Sequence, residues 1–478
     1  MSTAVSEKDQ IAIKPVPILI SFLIAGFIGL FSETALNMAL GNLMQELNVV
    51  SSTVQWVTTG YLLTMGILIP ISALLIQRYS TRHLFVASLL FSILGVIVSG
   101  VAPVFGVLLI GRIIQAIGTG LLIPLMFHTA LVIFPIHRRG TIMGVIGLVM
   151  MSAPALGPAT SGLIIELLSW NWILWLILPF LIFALLYGLV FVQNVTVLTK
   201  PKIDVPSIFL STIGFGGIVY GFSVAGHQGW GSAIVIGTLI LGLTSLLLFS
   251  SRQLKLDTPM LDLRVLKYPI YTLGLLSVAV TFMIILSSMI LLPLFLQIGL
   301  GLTALTAGLT LMPGGAINGI LSPFAGRIYD NYGPKWLFAP GFIIMLMMLW
   351  NLSNVSTETS ALTVILLHSG LMIGVTLVMM PLQTHALNVL PQKLYPDGTA
   401  LINTLLQVSG SIGTALAITI MSAAQSNYLK TVTDPSAPSV ASTSLTAGVQ
   451  TAFILGIVLA ISGLMMAFFI NLQKSTKS

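Results

Sequence analysis

The chain alternates long apolar runs with short polar stretches that hold most of its charge. Fourteen runs of roughly twenty residues can be counted: about 16 to 40, 54 to 76, 84 to 102, 104 to 127, 141 to 165, 172 to 192, 207 to 226, 232 to 250, 270 to 296, 305 to 328, 335 to 352, 361 to 381, 398 to 424 and 447 to 471. Only "GVAPVF" separates the third from the fourth, and the break there rests on Pro103 as a helix punctuator. In lipid a segment must satisfy its own backbone, which leaves helices or closed barrels. Barrels need short segments of alternating polarity, whereas these runs are continuous. The pattern predicts an all-α integral membrane protein with fourteen transmembrane helices.

Composition agrees. Of the 478 residues 56% are hydrophobic and 6% charged, against about 25% charged in a soluble domain. The absence of Cys removes disulfides, Cys-ligated zinc and thiol nucleophiles, and leaves the compartment open. The N-terminal "MSTAVSEKDQIAIKPVP" is polar, and the run after it is too long for a signal-peptide core and lacks a small-residue cleavage site. Residues 1–15 therefore read as a cytoplasmic tail before an uncleaved first span.

Basic residues set the expected orientation, because Lys and Arg near span ends stay cytoplasmic. With the N-terminus inside, the inner loops hold Arg78, Arg82, Arg138, Arg139, Lys200, Lys202, Arg252, Lys255, Arg264, Lys267, Arg327, Lys335 and Lys393, and Lys474 and Lys477 end the chain. Of 19 Lys and Arg only Arg112 and Lys430 fall elsewhere. The net charge of +7 follows from this topology and the anionic inner leaflet, with no need for nucleic acid.

An internal repeat organises the spans. "ALLIQRYSTRHLF" (73–85) aligns without gaps on "GRIYDNYGPKWLF" (326–338), pairing Tyr79 with Tyr332, Arg82 with Lys335, and Leu84-Phe85 with Leu337-Phe338. The same offset pairs Gly157 with Gly410. Two six-helix bundles in the same orientation, 16–193 and 269–471, produce this pattern if two further helices with their linkers (194–268) lie between them and 472–478 forms a cytoplasmic tail.

Four stretches, in order, carry a family resemblance: "FSETALNMAL", "LIGRIIQAIGTG" with Arg112, Gln115 and Gly118, "APALGPATSG", and "SWNWILW". The chain resembles the major facilitator superfamily in its fourteen-helix branch of drug:proton antiporters, and most of all the lincomycin-resistance type of multidrug exporter. In "APALGPATSG" the resemblance makes Pro154, Gly157, Pro158 and Gly162 the antiporter motif of the fifth helix. It also makes the two repeated loops cytoplasmic gates. The first loop departs from the family pattern, with Gln77 at the usual Asp and Ala73 and Ser80 at the usual glycines, while Arg78 and Arg82 are kept. The second keeps Gly326, Asp330, Gly333 and Lys335, so an inner latch is expected mainly there. Asn171 stands where the family commonly has Arg.

Glu33 is the candidate for coupling. An ionised side chain in hydrocarbon costs on the order of 2 to 4 kcal/mol unless it meets a partner or a cavity. Glu33 lies about eight residues before the outer end of span one and Arg112 about eight after the outer start of span four, so both sit roughly 12 Å deep. The resemblance implies that these two helices line a central cavity together. On this reading Glu33 loads and releases a proton as contact with Arg112, a fixed charge, is made and lost. A static Glu33–Arg112 ion pair, or a Glu33 that reaches the outer interface, remains open.

Spacing adds candidate cavity residues: Asn37 on the face of Glu33, Gln115 and Thr119 on that of Arg112, and Asn403, Gln407, Ser411 and Thr414 in a stripe on span thirteen. Such stripes face protein or water, so ordinary interhelical hydrogen bonding is the alternative. The glycines and prolines of "SAPALGPATSG" allow close helix approach and a bend, with or without a gating role. His128, His368 and His385 are scattered and show no metal-ligand spacing. The 21 Met and 23 Phe suit an adaptable apolar pocket or plain lipid contact.

There is no G-x-x-x-x-G-K-[ST], no H-E-x-x-H and no G-x-S-x-G. The expectation is therefore not an enzyme but a secondary transporter that needs no metal or cofactor and is driven by the proton gradient. It would act as a monomer in a bacterial plasma membrane and export lipophilic or cationic drugs. Nutrient symport, and a receptor or scaffold that kept the fold without transport, are the alternatives. "ALGPATSG" speaks against the first, and an embedded Glu33 and Arg112 against the second.

Overall fold

The computed structural model describes residues 14–196, 198–199, 201, 203–432 and 438–475. The N-terminal tail to residue 13, Lys200, Lys202 and Lys477 lie outside the described residues, as do the side chains of Asn37, Pro158 and Lys474. The described chain is helical throughout, without strands. Its long helices are α1 (Pro15–Ala35), α2 (Trp56–Arg78), α3 (Thr81–Gly100), α4 (Phe105–Ile133), α5 (Arg139–Leu167), α6 (Trp170–Phe191), α7 (Val205–Gln228), α8 (Ala233–Lys255), α9 (Pro269–Leu294), α10 (Ala304–Tyr332), α11 (Phe338–Leu352), α12 (Ala361–Asn388), α13 (Tyr395–Leu429) and α14 (Pro438–Ser475).

Local chemistry marks their ends. Pro stands in the first two positions of α1, α7, α9 and α13, where its missing N–H costs nothing. Ser80, Thr303 and Ser360 cap α3, α10 and α12 by accepting from the amides of His83, Thr306 and Thr363. Pro103 falls in the break between α3 and α4. The helices overrun the apolar runs, since α5 begins at Arg139 and α13 at Tyr395. Apolar length measures the stretch that lipid requires, not the turns beyond it.

Among the described residues twelve helices are long and apolar enough to cross a membrane. The other two long helices, α5 and α10, have 29 residues each, about 43 Å. The expected count of fourteen crossings is thus not confirmed. Both helices are rich in Gly, Pro, Ser and Thr. That composition serves contact between them: an added Cβ on Gly144 would meet the Ser322 carbonyl, and one on Gly140 would lie 2.5 Å from the Gly326 oxygen. The two backbones approach as only glycine permits.

Helices α1–α6 and α9–α14 form two halves, with α7 and α8 between them. Trp56 of α2 stacks on Tyr220 of α7 at 5.7 Å, and Trp230, after α7, donates from Nε1 to Thr419 Oγ1 of α13 at 2.7 Å. Of the inserted pair, α7 therefore lies along both α2 and α13. The halves meet along two seams, α5 on α10 and α2 on α13. The described hydrogen bonds between halves lie at the end that carries the basic loops.

The inserted hairpin is tied at that same end. Arg252 of α8 grips Asp204, before α7, through two bonds of 2.7 and 2.8 Å. These bonds, aided by the Ser207 hydroxyl, hold the Asp204 carboxyl near 2 instead of its ordinary 3.8, against the opposing effect of partial burial. A folded-state value below the unfolded one means the clamp contributes fully above about pH 4 and is lost as pH falls toward 2. Amide exchange at Ser207 and Ile208, corrected for intrinsic rate, should be flat from pH 7 to pH 5 and rise below about pH 4. In Asp204→Asn it should already be raised at neutral pH.

Candidate functional site

Arg112 is fully enclosed on α4. Glycines on the adjoining face of the same helix let α3 approach: a Cβ on Gly111 or Gly118 would strike Ser99 or Ser92. The polar face that carries Arg112, Gln115 and Thr119 is thereby turned to α1 and α2. Arg112 Nη1 donates to Gln115 Oε1 (2.8 Å), to the Ser32 carbonyl (3.2 Å) and to Ser32 Oγ (3.3 Å), and Gln115 Nε2 donates to the same Ser32 Oγ at 2.7 Å. The guanidinium lies 4.3 Å from the centre of the Tyr61 ring, a cation–π contact. Tyr61 in turn donates from its hydroxyl to Thr119 Oγ1 at 2.7 Å and to the Gly29 carbonyl at 3.3 Å.

The depth match between spans one and four holds, since Arg112 bonds the residue next to Glu33. The ion pair does not form: no contact within 4.0 Å joins the Glu33 carboxylate to Arg112. Glu33 is half-buried, on the last turn of α1 before a 3-10 turn at Leu36–Ala39. Arg112 Nε and Nη2 are buried without a hydrogen-bond partner. An unpaired face of a buried guanidinium and an uncommitted carboxylate one residue from its anchor therefore lie together.

Gly157 of α5 packs directly on Thr34, beside Glu33, and a Cβ there would strike Thr34 Oγ1. Gly162 faces open space, with nothing within 4 Å of an added Cβ, and Pro154 is half-buried. On α13, Asn403 Nδ2 bonds the Thr399 carbonyl and Ser411 Oγ the Gln407 carbonyl, each within its own helix, while Gln407 and Thr414 are half-buried. No described hydrogen bond joins this stripe to the Arg112 cluster. His128 bonds Thr196, Tyr329 bonds His385, and His368 is buried against Gly314, three separate places. An apolar cavity of about 460 Å³ lies between α1, α5 and α6, lined by Phe27, Phe31, Ile164, Ile177 and Phe180 among others. Its size suits a drug-sized molecule.

Among the residues of the two repeated loops, Asp330 takes hydrogen bonds of 2.7 Å from Gly140 N, Thr141 N and Thr141 Oγ1, at the first turn of α5. Gly326 abuts Gly140, and Gly333 ends α10 with a φ of 76° that suits glycine. Arg78 and Arg82 do not reach the other half: they donate to Pro201 O and Leu189 O at 2.9 and 2.8 Å. Lys335 sits in the short turn after α10. Asn171 donates to the Gly100 carbonyl at 3.1 Å, and its neighbour Trp170 to Glu46 Oε2 at 2.8 Å, which anchors the start of α6.

Several residues at these places carry no signal in the sequence reading. Ser32 and Tyr61 look like ordinary members of apolar spans. Arg139 reads as one more loop cation, yet it crosses between halves, donating to Asn388 Oδ1 at 2.9 Å and to the Tyr395 hydroxyl at 2.8 Å. Asp397, buried in the first turn of α13, falls one residue before the thirteenth apolar run.

Comparison with known proteins places this architecture. The Major Facilitator Superfamily model matches residues 22–414, and the chain belongs to that family of membrane transporters. It is 58% identical over 462 residues to lincomycin resistance protein LmrB of Listeria monocytogenes, covering 97% of this chain and 98% of that one. LmrB of Bacillus subtilis is 57% identical over 463 residues, covering 96% and 97%. The probable multidrug resistance protein EmrY of Escherichia coli is 26% identical over 409 residues, covering 84% and 79%. The resemblance to lincomycin-resistance exporters thus extends along essentially the whole chain. Among solved structures, the human organic anion transporter MFSD10 superposes with a TM-score of 0.63 at 11% identity, covering 95% of this chain and 99% of that one. The proton:xylose symporter XylE gives 0.62 at 14%, covering 94% of each. Both share the fold. The protein is a multi-pass membrane protein, and its family membership points to transport, not catalysis.

Packing of α5 against Glu33's helix can be tested at Gly157. Gly157→Val should force α5 off Thr34 and destabilise the folded protein by about 1 to 3 kcal/mol, read as a lower unfolding temperature in detergent. Gly162→Val, facing open space, should leave that temperature unchanged.

Proposed function

We propose that the chain is a proton-coupled exporter of lipophilic or cationic drugs, lincosamide-type antibiotics among them, working by alternating access in a bacterial plasma membrane with both termini cytoplasmic. The observation that carries the coupling is the unpaired face of Arg112 beside an uncommitted Glu33. A carboxylate that engages a guanidinium in one state and leaves it in another changes its proton affinity between the two, which is what coupling requires. A contact ion pair already formed would have favoured a static role. Drug export is supported by near-full-length identity to proteins named for lincomycin resistance. The apolar cavity beside Phe27 and Phe31 suits the lipophilic body of such a substrate. The basic loops put the termini inside, and the closed basic end then corresponds to a cytoplasmic face that is shut.

The test is drug-evoked proton movement in proteoliposomes carrying a pH dye. Lincomycin or a lipophilic cation should release protons in the wild type, and Glu33→Gln should lower that signal about tenfold or more, as expected when a required titrating group is lost, while drug binding persists. Equal proton movement in both proteins would remove Glu33 from coupling. Proton-driven uptake of drug or nutrient would favour the symporter.

A further inference from the structure

By the internal repeat of residues 73–85 and 326–338 the two halves align, yet their seams close at the basic end with different chemistry. In the α5–α10 seam the carboxylate comes from the loop, where Asp330 caps the first turn of α5. Gln77 is the residue aligned on Asp330 in the other copy. Its Nε2 lies 3.5 and 3.4 Å from the two oxygens of Asp397, in the first turn of α13. The residue aligned on Asp397 is Gly144, which backs onto Ser322 with no side chain. The acid has therefore changed sides of the seam, from the loop to the helix.

Asp397 is held as a built site. It is 3% exposed, and its Oδ1 also accepts from Asp262 N, in the linker between α8 and α9, at 2.8 Å. Gln77 is itself fixed, because its Oε1 and its carbonyl oxygen accept from Thr199 Oγ1 and N at 3.4 and 3.1 Å, which leaves the amide NH₂ for Asp397. The nearby groups are committed elsewhere: Tyr271 donates to the Gly398 carbonyl, and the Asp262 carboxylate serves Arg264. No cation among the described residues lies within 4.0 Å of Asp397. The carboxylate is stabilised by N–H donors and by the positive end of α13. Gln77 and Asp262 must leave it for the seam to part.

We propose that Asp397 is a positioning residue of the transport cycle. Its carboxylate, moved from the α2–α3 loop to the first turn of α13, latches the α2–α13 seam at the basic end and, through Asp262 N–H, joins the linker after the inserted helix pair to that latch. The inference rests on the two halves rocking, as the proposed transport requires, and on none of the drug or proton steps.

The chain has no Cys, so single cysteines at Tyr79 and Gln392, exposed on either side of the seam, can carry spin labels. Their distance distribution in liposomes, without drug or gradient, reports opening of the basic end. Asp397→Asn should raise the open fraction about threefold to tenfold, the range for weakening a charge-assisted hydrogen bond to a neutral one. Gln77→Asp, which sets two carboxylates face to face, should raise it as much or more. Gln77→Asp/Asp397→Asn, which returns the acid to the loop, should bring the fraction back to within about twofold of wild type. Single variants with unchanged distances, a double variant as open as the singles, or three variants equally unable to fold would each overturn the proposal. Loss of proton coupling in Glu33→Gln leaves this readout untouched, so the two ideas fail separately.

Discussion

A guanidinium with no exposure, inside a bundle that is otherwise apolar, is the constraint around which the N-terminal half is arranged. Leaving such a charge without partners costs several kcal/mol, so α4 must present Arg112 to oxygen acceptors and an aromatic face. It does so by a division of labour between its two sides. Gly111 and Gly118 bring α3 into backbone contact, while Arg112, Gln115 and Thr119 meet Ser32 and Tyr61 on α1 and α2. Even so, Nε and Nη2 stay without partners. A passive bundle would be better served by Leu at this position, which is why the proposed coupling rests on the unfinished satisfaction of Arg112 and not on the completed hydrogen bonds around it.

Helix α5 joins that site to the closed end. Near its middle Gly157 rests on Thr34, next to Glu33, and at its start Gly140 and Thr141 receive Asp330 while Arg139 reaches Asn388 and Tyr395. One continuous helix thus touches the surroundings of the carboxylate and the contacts between halves. A rocking motion that breaks the Asp330 cap must carry Gly157 with it or bend the helix between them. Glycine at both places, Gly157 and Gly140, is what makes the two contacts possible.

Much of this was legible in the chain. Run length tells helix from barrel, and depth counting places Glu33 level with Arg112, which bonds the neighbouring Ser32. What escaped had physical causes. An apolar run ends where lipid ends, so Arg139, two residues outside its run, reads as a loop charge, and Asp397, one residue outside its run, draws no attention. Ser32 and Tyr61 escaped because a hydroxyl in a hydrophobic segment has no periodicity of its own. Contact between Glu33 and Arg112 could not be read from depth alone, since equal depth leaves the rotation of each helix undetermined. The stripe on α13 shares one face by spacing, but Asn403 and Ser411 bond backward along their own helix, an option that spacing does not reveal.

The inserted helices explain why the two seams differ. The α5–α10 seam is closed by backbone against backbone, Gly140 on Gly326, and a loop carboxylate can reach the start of α5 directly. Along the other seam, α7 lies on both α2 and α13, and the linkers on either side of the hairpin pass beneath it: Thr199 holds Gln77, and Met260 and Leu261 pack with Ala73, Leu74, Phe249 and Ala400. Gln253 fastens that second linker, accepting from Met260 N and Leu261 N and donating to Ser207. With a backbone N–H from Asp262 presented at the seam, a carboxylate on α13 gains a donor that one on the α2–α3 loop would have to reach across the seam to find. The hairpin and the displaced acid are parts of one arrangement, in which the added helices contribute to the closure they flank.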